Sequence, residues 1–379
     1  MSTPSTPSTP TVDALRVWVL EFPTDAPEAD GTATWTSTTM VLVRARSGTT
    51  HGYGWTYGAP ACADVITDLL AEHAVGRGAF DVPAANETMH RALRNAGRPG
   101  IGGHALSAVD IALWDLKARL LHLPLVDLLG RARPTVPVYG SGGFTTCTDQ
   151  QLEAQLRRWT GEQGIPRVKI KVGESWGSRE GRDLARIARA RRAVGPDTEL
   201  YVDANGAYTG KQAVRLAQRF EEHDVRWFEE PVSSDDLAGL ARVRAACTAD
   251  VAAGEYGYTL PYFAAMAPTV DCLQADATRC GGITVWLRAA ALAQAHGLDL
   301  SGHCAPHVHA HAAAALPNLR HLEWFHDHVR IEDLLFDGGL DPTGGELHPG
   351  RDGAPGLGLT PRRDVLQHHT VTTASAGSP

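Results

Sequence analysis

Eight ionisable side chains stand at the ends of seven short, mostly apolar runs in this chain. RVKIK carries Lys169 and Lys171, and LYVDAN ends in Asp203 and Asn205. WFEE holds Glu229, AAGE ends at Glu255 and LQAD at Asp276. SGH ends at His303 and RHLE at Glu323. From Lys171 onward the charged positions recur at intervals of 20 to 32 residues, about one strand plus one helix each. Burying a charge without a partner is costly. One charged strand end therefore means little, but a series in register predicts a single shared mouth.

The charges sort by what each needs. Asp203, Glu229 and Glu255 are three consecutive carboxylates that repel one another unless a cation sits between them. Oxygen-only ligands suit Mg²⁺, with Mn²⁺ as a substitute, rather than metals that prefer sulfur or imidazole. The competing reading is three separate salt bridges. On one flank, the alternation of a strand puts Lys169 and Lys171 on one face, where mutual repulsion is expected to lower the proton affinity of one, making it a base. On the other flank, Asp276 would hold one ring nitrogen of His303 and leave the other as a general base. Glu323 is expected to stay protonated in a closed site and donate to a developing oxyanion, or else to pair with Arg320 or His321.

Something must carry these residues into one place. After Pro134, strand-like runs alternate with helix-like runs such as REGRDLARIARARRAV, and eight strands with seven clear connections predict a parallel barrel whose function sits at the C-terminal strand ends. The Arg-rich run 179–192 reads as the solvated face of a barrel helix rather than a nucleic-acid site. Before the barrel, ALRVWVLEF and STTMVLVRAR predict antiparallel strands, and GHALSAVDIALWDLKARLL predicts a long helix. Gly52–Gly58, GYGWTYG, reads either as a mobile flap offering Trp55 and Tyr57 for stacking, or as a hairpin end whose aromatics pack inward. The His307, His309 and His311 run reads as a helix start or lining rather than a zinc site. Residues 1–13, Ser-Thr-Pro-rich, and the tail 366–379 read as disordered.

Composition sets the outer limits. The chain is 43% hydrophobic and 21% charged, with a net charge of −8, which fits a folded protein and argues against nucleic-acid or membrane-surface partners. No run approaches a membrane span, and no basic stretch precedes an apolar one at the N-terminus. The 6 cysteines lack a CxxC pattern and read as reduced thiols, so a cytoplasmic protein is expected.

The constellation resembles the enolase superfamily, and within it the mandelate racemase subgroup. The matching motifs are the KxK of Lys169 and Lys171, Asp203 with Asn205, FEEP around Glu229, AGE ending at Glu255, then Asp276, His303 and Glu323. RNAGRPGIGGHALSAVDIALWDLKA and PGLGL extend the likeness over about residues 14–365. The resemblance implies an α/β fold, a modified (β/α)7β TIM-type barrel (131–340) under an N-terminal α+β capping domain (14–130), with 341–365 returning to the cap. It implies two cap loops closing the site, at Pro23–Ala33 and Gly52–Gly58, and self-association into a homo-oligomer. It also implies Mg²⁺ on Asp203, Glu229 and Glu255 binding the carboxylate of a small molecule. Lys171 or His303 would remove the α-proton, and Lys169 and Glu323 would help stabilise the ene-diolate, with Asn205, Trp55 and Tyr57 contacting substrate. Dehydration of a sugar acid (aldonate or aldarate) to a 2-keto-3-deoxy acid is the reading adopted. Racemisation, epimerisation or cycloisomerisation on the same site is the alternative. The acidic first loop, with Glu21, Asp25, Glu28 and Asp30, is expected to disfavour a di-acid if it faces inward.

Overall fold

A computed structural model describes residues 9–378. Strands β1 (Ala14–Ala29), β2 (Thr34–Ser47) and β3 (Thr50–Tyr57) form an antiparallel sheet, and the helix Ile101–Leu120 packs across it. Two glycines make that contact possible. A Cβ at Gly52 would lie 2.2 Å from the Leu116 backbone nitrogen, and one at Gly54 would lie 2.3 Å from that of Ala112. With Gly52 and Gly54 turned to the helix, strand alternation sends Tyr53, Trp55 and Tyr57 to the opposite face. GYGWTYG is therefore a strand docked on a helix, not a mobile flap, and the inward-packing reading holds.

Eight parallel strands follow: β4 (Val136–Gly142), β5 (Arg167–Lys171), β6 (Glu199–Asp203), β7 (Val225–Glu229), β8 (Asp250–Ala253), β9 (Cys272–Ala275), β10 (Asp299–Gly302) and β11 (Leu319–Phe325). β11 pairs with β4 and closes the barrel. The inward-facing residues come in layers. Lys169 lies opposite Tyr201 and Lys171 opposite Asp203, then Tyr201 opposite Trp227 and Asp203 opposite Glu229. Tyr139, Tyr201 and Trp227 are buried together, with Tyr201 and Trp227 one layer below Asp203 and Glu229, so these carboxylates rest on closely packed aromatic rings.

The ends of the chain correct two expectations. The tail 366–379 is not disordered among its described residues. A helix, Arg363–His369, leads into a strand, Thr370–Gly377, that pairs antiparallel with β1 from Ala14↔Gly377 to Leu20↔Thr370. The β-branched run TVTT could have signalled this. It covers the otherwise open edge of the cap sheet, which is a physical reason for a strand there. Of the segment 1–13, residues 1–8 lie outside the described residues. Thr11, however, bridges Gly78, and Val12 is buried. Between barrel and tail, the Leu357 N–H donates to Asp115 in the cap helix at 2.6 Å, and Arg119 donates to the Leu359 carbonyl at 2.7 Å. Among the described residues, no helix is long and apolar enough to cross a membrane.

Candidate active site

All eight predicted ionisable groups converge on the mouth of the barrel. Lys169, Asp203, Glu229 and Glu323 are fully buried, and Lys171, Glu255, Asp276 and His303 nearly so. Lys169 Nζ lies 2.6 Å from Glu229 Oε1, 2.7 Å from Glu323 Oε1 and 3.7 Å from Asp203. Lys171 Nζ lies 2.5 Å from Asp203 Oδ2. The structure thereby corrects the expected lysine electrostatics. Burial alone would lower the Lys171 pKa, but the carboxylates of Asp203, Glu323 and Glu229 together outweigh burial and the neighbouring ammonium and hold it above the ordinary lysine value. Charge balance, not lysine pairing, sets the protonation state here.

Asp203, Glu229 and Glu255 present oxygen atoms within 4.8 Å of one another. Two observations fit this set to a hard cation. Glu255 Oε2 is buried with no hydrogen-bond partner. Glu229 is pushed up to about 8 by burial, with Asp203, Glu323 and Glu255 adding to the effect against the pull of Lys169. The cluster is short of positive charge, and its donors are all oxygen.

His303 Nδ1 donates to Asp276 Oδ2 at 2.8 Å. The other Asp276 oxygen accepts the Thr278 N–H and hydroxyl, each at 2.7 Å. Burial would raise the Asp276 carboxyl, but the His303 hydrogen bond and charge hold it well below the ordinary carboxylate range. The imidazole is therefore fixed with Nε2 toward the cavity, where it lies 3.4 Å from Glu255 Oε2.

Glu323 departs from its expected role. Burial would raise it, but Lys169, His303 and Lys171 together outweigh burial and hold the carboxyl well below its ordinary range. The Ser141 hydroxyl and the Cys304 N–H donate to it at 2.6 and 3.0 Å. It is an ionised acceptor that orients Lys169, not a protonated donor, and its partners are not Arg320 or His321.

The cavity over these groups holds about 400 Å³ and is lined by Lys171, Asn205, Glu255 and His303 together with Tyr57. Asn205 adopts φ +46°, and its N–H donates to Asp203 Oδ1 at 2.9 Å. Its side-chain oxygen has no protein partner. Trp55 corrects another expectation. It is fully buried, donates from Nε1 to Glu332 Oε1 at 3.1 Å and packs on Phe336, so it cannot stack on a ligand. Tyr57 does line the cavity, but its hydroxyl lies 3.0 Å from Glu332 and its ring stacks on His328. The three-histidine run scatters its nitrogens. His307 Nδ1 lies 2.6 Å from Glu332, His309 Nε2 accepts the Ala277 N–H and His311 Nδ1 accepts the Val126 N–H.

Several residues escaped the sequence reading. Arg279 reaches Glu255 at 3.1 Å and Asp276 at 3.5 Å. Its position three residues after Asp276 was the available signal. Thr38, Asp327, His328 and Cys304 also line the cavity. The Asp327 and His328 pair was visible in HDHVRIEDLL, but only the fold shows which way it faces.

The chain matches the family model of the mandelate racemase/muconate lactonizing enzyme N-terminal domain over residues 15–130, and that of the enolase C-terminal domain-like family over 151–365. It is 33% identical to L-talarate/galactarate dehydratase of Salmonella typhimurium, over 77% of this chain and 75% of that one. A structure of that dehydratase liganded with Mg and L-lyxarohydroxamate superposes with a TM-score of 0.88 at 27% identity, covering 100% of this chain and 97% of the other. Identity is 34% to 3,6-anhydro-alpha-L-galactonate cycloisomerase of Streptomyces coelicolor, over 72% of this chain and 76% of that one. A mandelate racemase/muconate lactonizing enzyme-like protein from Rubrobacter xylanophilus is 50% identical with a TM-score of 0.92, covering 96% of this chain and all of the other. With both domain models matched in order and the predicted constellation assembled, the chain belongs to the mandelate racemase/muconate lactonizing enzyme family.

Proposed function

We propose that the protein is a Mg²⁺-dependent hydro-lyase that dehydrates a sugar acid to a 2-keto-3-deoxy acid. The observation that carries this reading is the placement of two proton-transfer groups, Lys171 and His303, in one cavity on either flank of a three-carboxylate cluster. Asp203, Glu229 and Glu255 would hold the magnesium, which when bound supplies positive charge against the substrate carboxylate. The kinship with a talarate/galactarate dehydratase and its magnesium-liganded structure supports the same chemistry.

The residues divide the work. His303, or Lys171 once magnesium on Asp203 has taken up the carboxylate charge that keeps it protonated, takes the proton α to the carboxylate, giving an ene-diolate. A protonated partner in the cavity gives a proton to the departing β-hydroxyl, so that water leaves and the resulting enol tautomerises to the ketone. Lys169, held by Glu323, places fixed positive charge beside the developing oxyanion, a contribution that needs no reorganisation during reaction. Asp276 keeps the His303 proton on Nδ1 and leaves Nε2 for transfer. Asn205 offers its unpaired carbonyl to a substrate hydroxyl.

Proton NMR in D₂O tests this directly. The protein with Mg²⁺ is incubated with a panel of sugar mono- and di-acids. A 2-keto-3-deoxy product from at least one acid is the expected result. α-Deuteration or inversion with no loss of water would move the assignment to an isomerase, and no reaction on any acid would refute the substrate class.

A further inference from the structure

The cavity has a floor and a wall of different character. The floor is the charged rim of the barrel. The wall is built by the β1–β2 hairpin, which contributes Asp30, Trp35 and Thr38, and by the segment after β11, which contributes Asp327 and His328. Asp30 is fixed in place because its Oδ1 accepts the Thr32 and Ala33 N–H groups at 2.6 and 2.7 Å. Asp327 is buried, and the Thr38 hydroxyl donates to its Oδ2. That bond ties the hairpin to the barrel and leaves the Thr38 oxygen as an acceptor toward the cavity.

Among the described residues, no lysine or arginine belongs to this wall. Of those residues, the lysine and arginine lining the cavity are Lys171 and Arg279, both on the floor and both already paired, Lys171 to Asp203 and Arg279 to Glu255 and Asp276. Arg330 stands outside the cavity lining, 2.6 Å from Asp327 and 3.9 Å from Asp25, so carboxylates already take up its charge. A ligand end reaching this wall meets acceptors and negative charge. A hydroxyl can donate to them, whereas a carboxylate can only accept and would be left without a counter-charge. His328 accepts the Ala305 N–H on Nδ1 at 3.4 Å, which leaves Nε2–H as a single neutral donor for a hydroxyl oxygen.

We infer that the wall formed by Asp30, Thr38 and Asp327 makes this protein select sugar mono-acids with a neutral polyhydroxylated far end and reject the corresponding di-acids. This rests on the proposed reading of the floor as the carboxylate-binding end. It sets the chain apart from its talarate/galactarate-dehydrating relative, whose named substrates carry a carboxylate at both ends.

The test is calorimetric binding of carbon-matched pairs, D-gluconate with D-glucarate and D-galactonate with galactarate. It uses the Mg²⁺-loaded full chain carrying Lys171→Ala and His303→Asn, so that bound acid is not consumed. The mono-acid of at least one pair is expected to bind at least tenfold more tightly than its di-acid. Adding Asp327→Asn should narrow that ratio severalfold. Asp30→Asn, which keeps the turn-forming oxygen, should do the same if loss of the Arg330 partner unfolds the first variant. Equal or tighter binding of the di-acids, binding of neither, or a ratio untouched by every folded wall variant would overturn the inference. Turnover by the unsubstituted protein is read separately. A mono-acid preference in binding with no dehydration of that acid leaves the selectivity standing and refutes the dehydratase reading.

Discussion

Replacing Asp276 with Asn keeps the shape of the site and changes one property of His303. In the parent, Oδ2 accepts the Nδ1–H at 2.8 Å, while Oδ1 takes two donors from Thr278 at 2.7 Å each. An asparagine satisfies Thr278 only with its carbonyl in the Oδ1 place. Its NH₂ then faces His303 Nδ1, which must become an acceptor, and the ring proton moves to Nε2, the nitrogen needed for transfer. Two losses combine. A buried hydrogen bond to a charged group is worth about 1.5–3 kcal/mol, and a positioned general base typically contributes about 10²–10⁴-fold. A fall in kcat/KM of about 10³, or about 4 kcal/mol of barrier, is expected. Steady-state kinetics at saturating Mg²⁺ measures it, and α-proton exchange in D₂O locates it. Exchange that depends on His303 should vanish, exchange that depends on Lys171 should persist, and the thermal shift on adding Mg²⁺ should be unchanged. Arg279 retains Glu255 at 3.1 Å, so gross collapse is not expected. A kcat/KM within tenfold of the parent would refute the assignment of Asp276 as the residue that fixes the His303 tautomer.

Two further outcomes separate packing from chemistry. Trp55→Phe should lower stability by about 1–3 kcal/mol, through lost volume and the lost bond to Glu332, while kcat and KM stay within twofold. A large rise in KM would restore a ligand-contact role for Trp55. Glu28 is raised from 4.5 to about 8, chiefly by burial, with Asp327 adding to it. The folded state therefore keeps a proton that the unfolded chain has released, and stability falls as pH rises through about 4.5–8. Glu28→Gln removes that dependence, so its gain in Tm should be larger at pH 8 than at pH 5. Equal gains in thermal melts at both pH values would show that Glu28 is ionised in the folded protein.

The spacing of charged strand ends was enough to place Lys169, Lys171, Asp203, Glu229, Glu255, Asp276, His303 and Glu323 in one mouth. A barrel brings successive strand ends together whatever the intervening helices contain, so a one-dimensional interval becomes a three-dimensional neighbourhood. The same logic failed for Trp55, because the direction of a strand residue depends on which face the sheet covers, and Gly52 and Gly54 decided that by admitting the Ile101–Leu120 helix. It failed for the tail, where polar residues form a strand only because β1 offers an unpaired edge.

The sequence by itself determined the barrel, the antiparallel strands and long helix before it, the oxygen-rich carboxylate cluster and the histidine–aspartate pair, since each is written in residue type and period. Tertiary structure alone decided the protonation states and the far wall. Lys171 is held charged by Asp203, 32 residues away in sequence. Glu323 is held ionised by Lys169, and Asp327 meets Thr38 across 289 residues. A pKa and a pocket wall depend on charges and hydrogen bonds summed over neighbours in space, and those neighbours exist only once the chain has closed on itself.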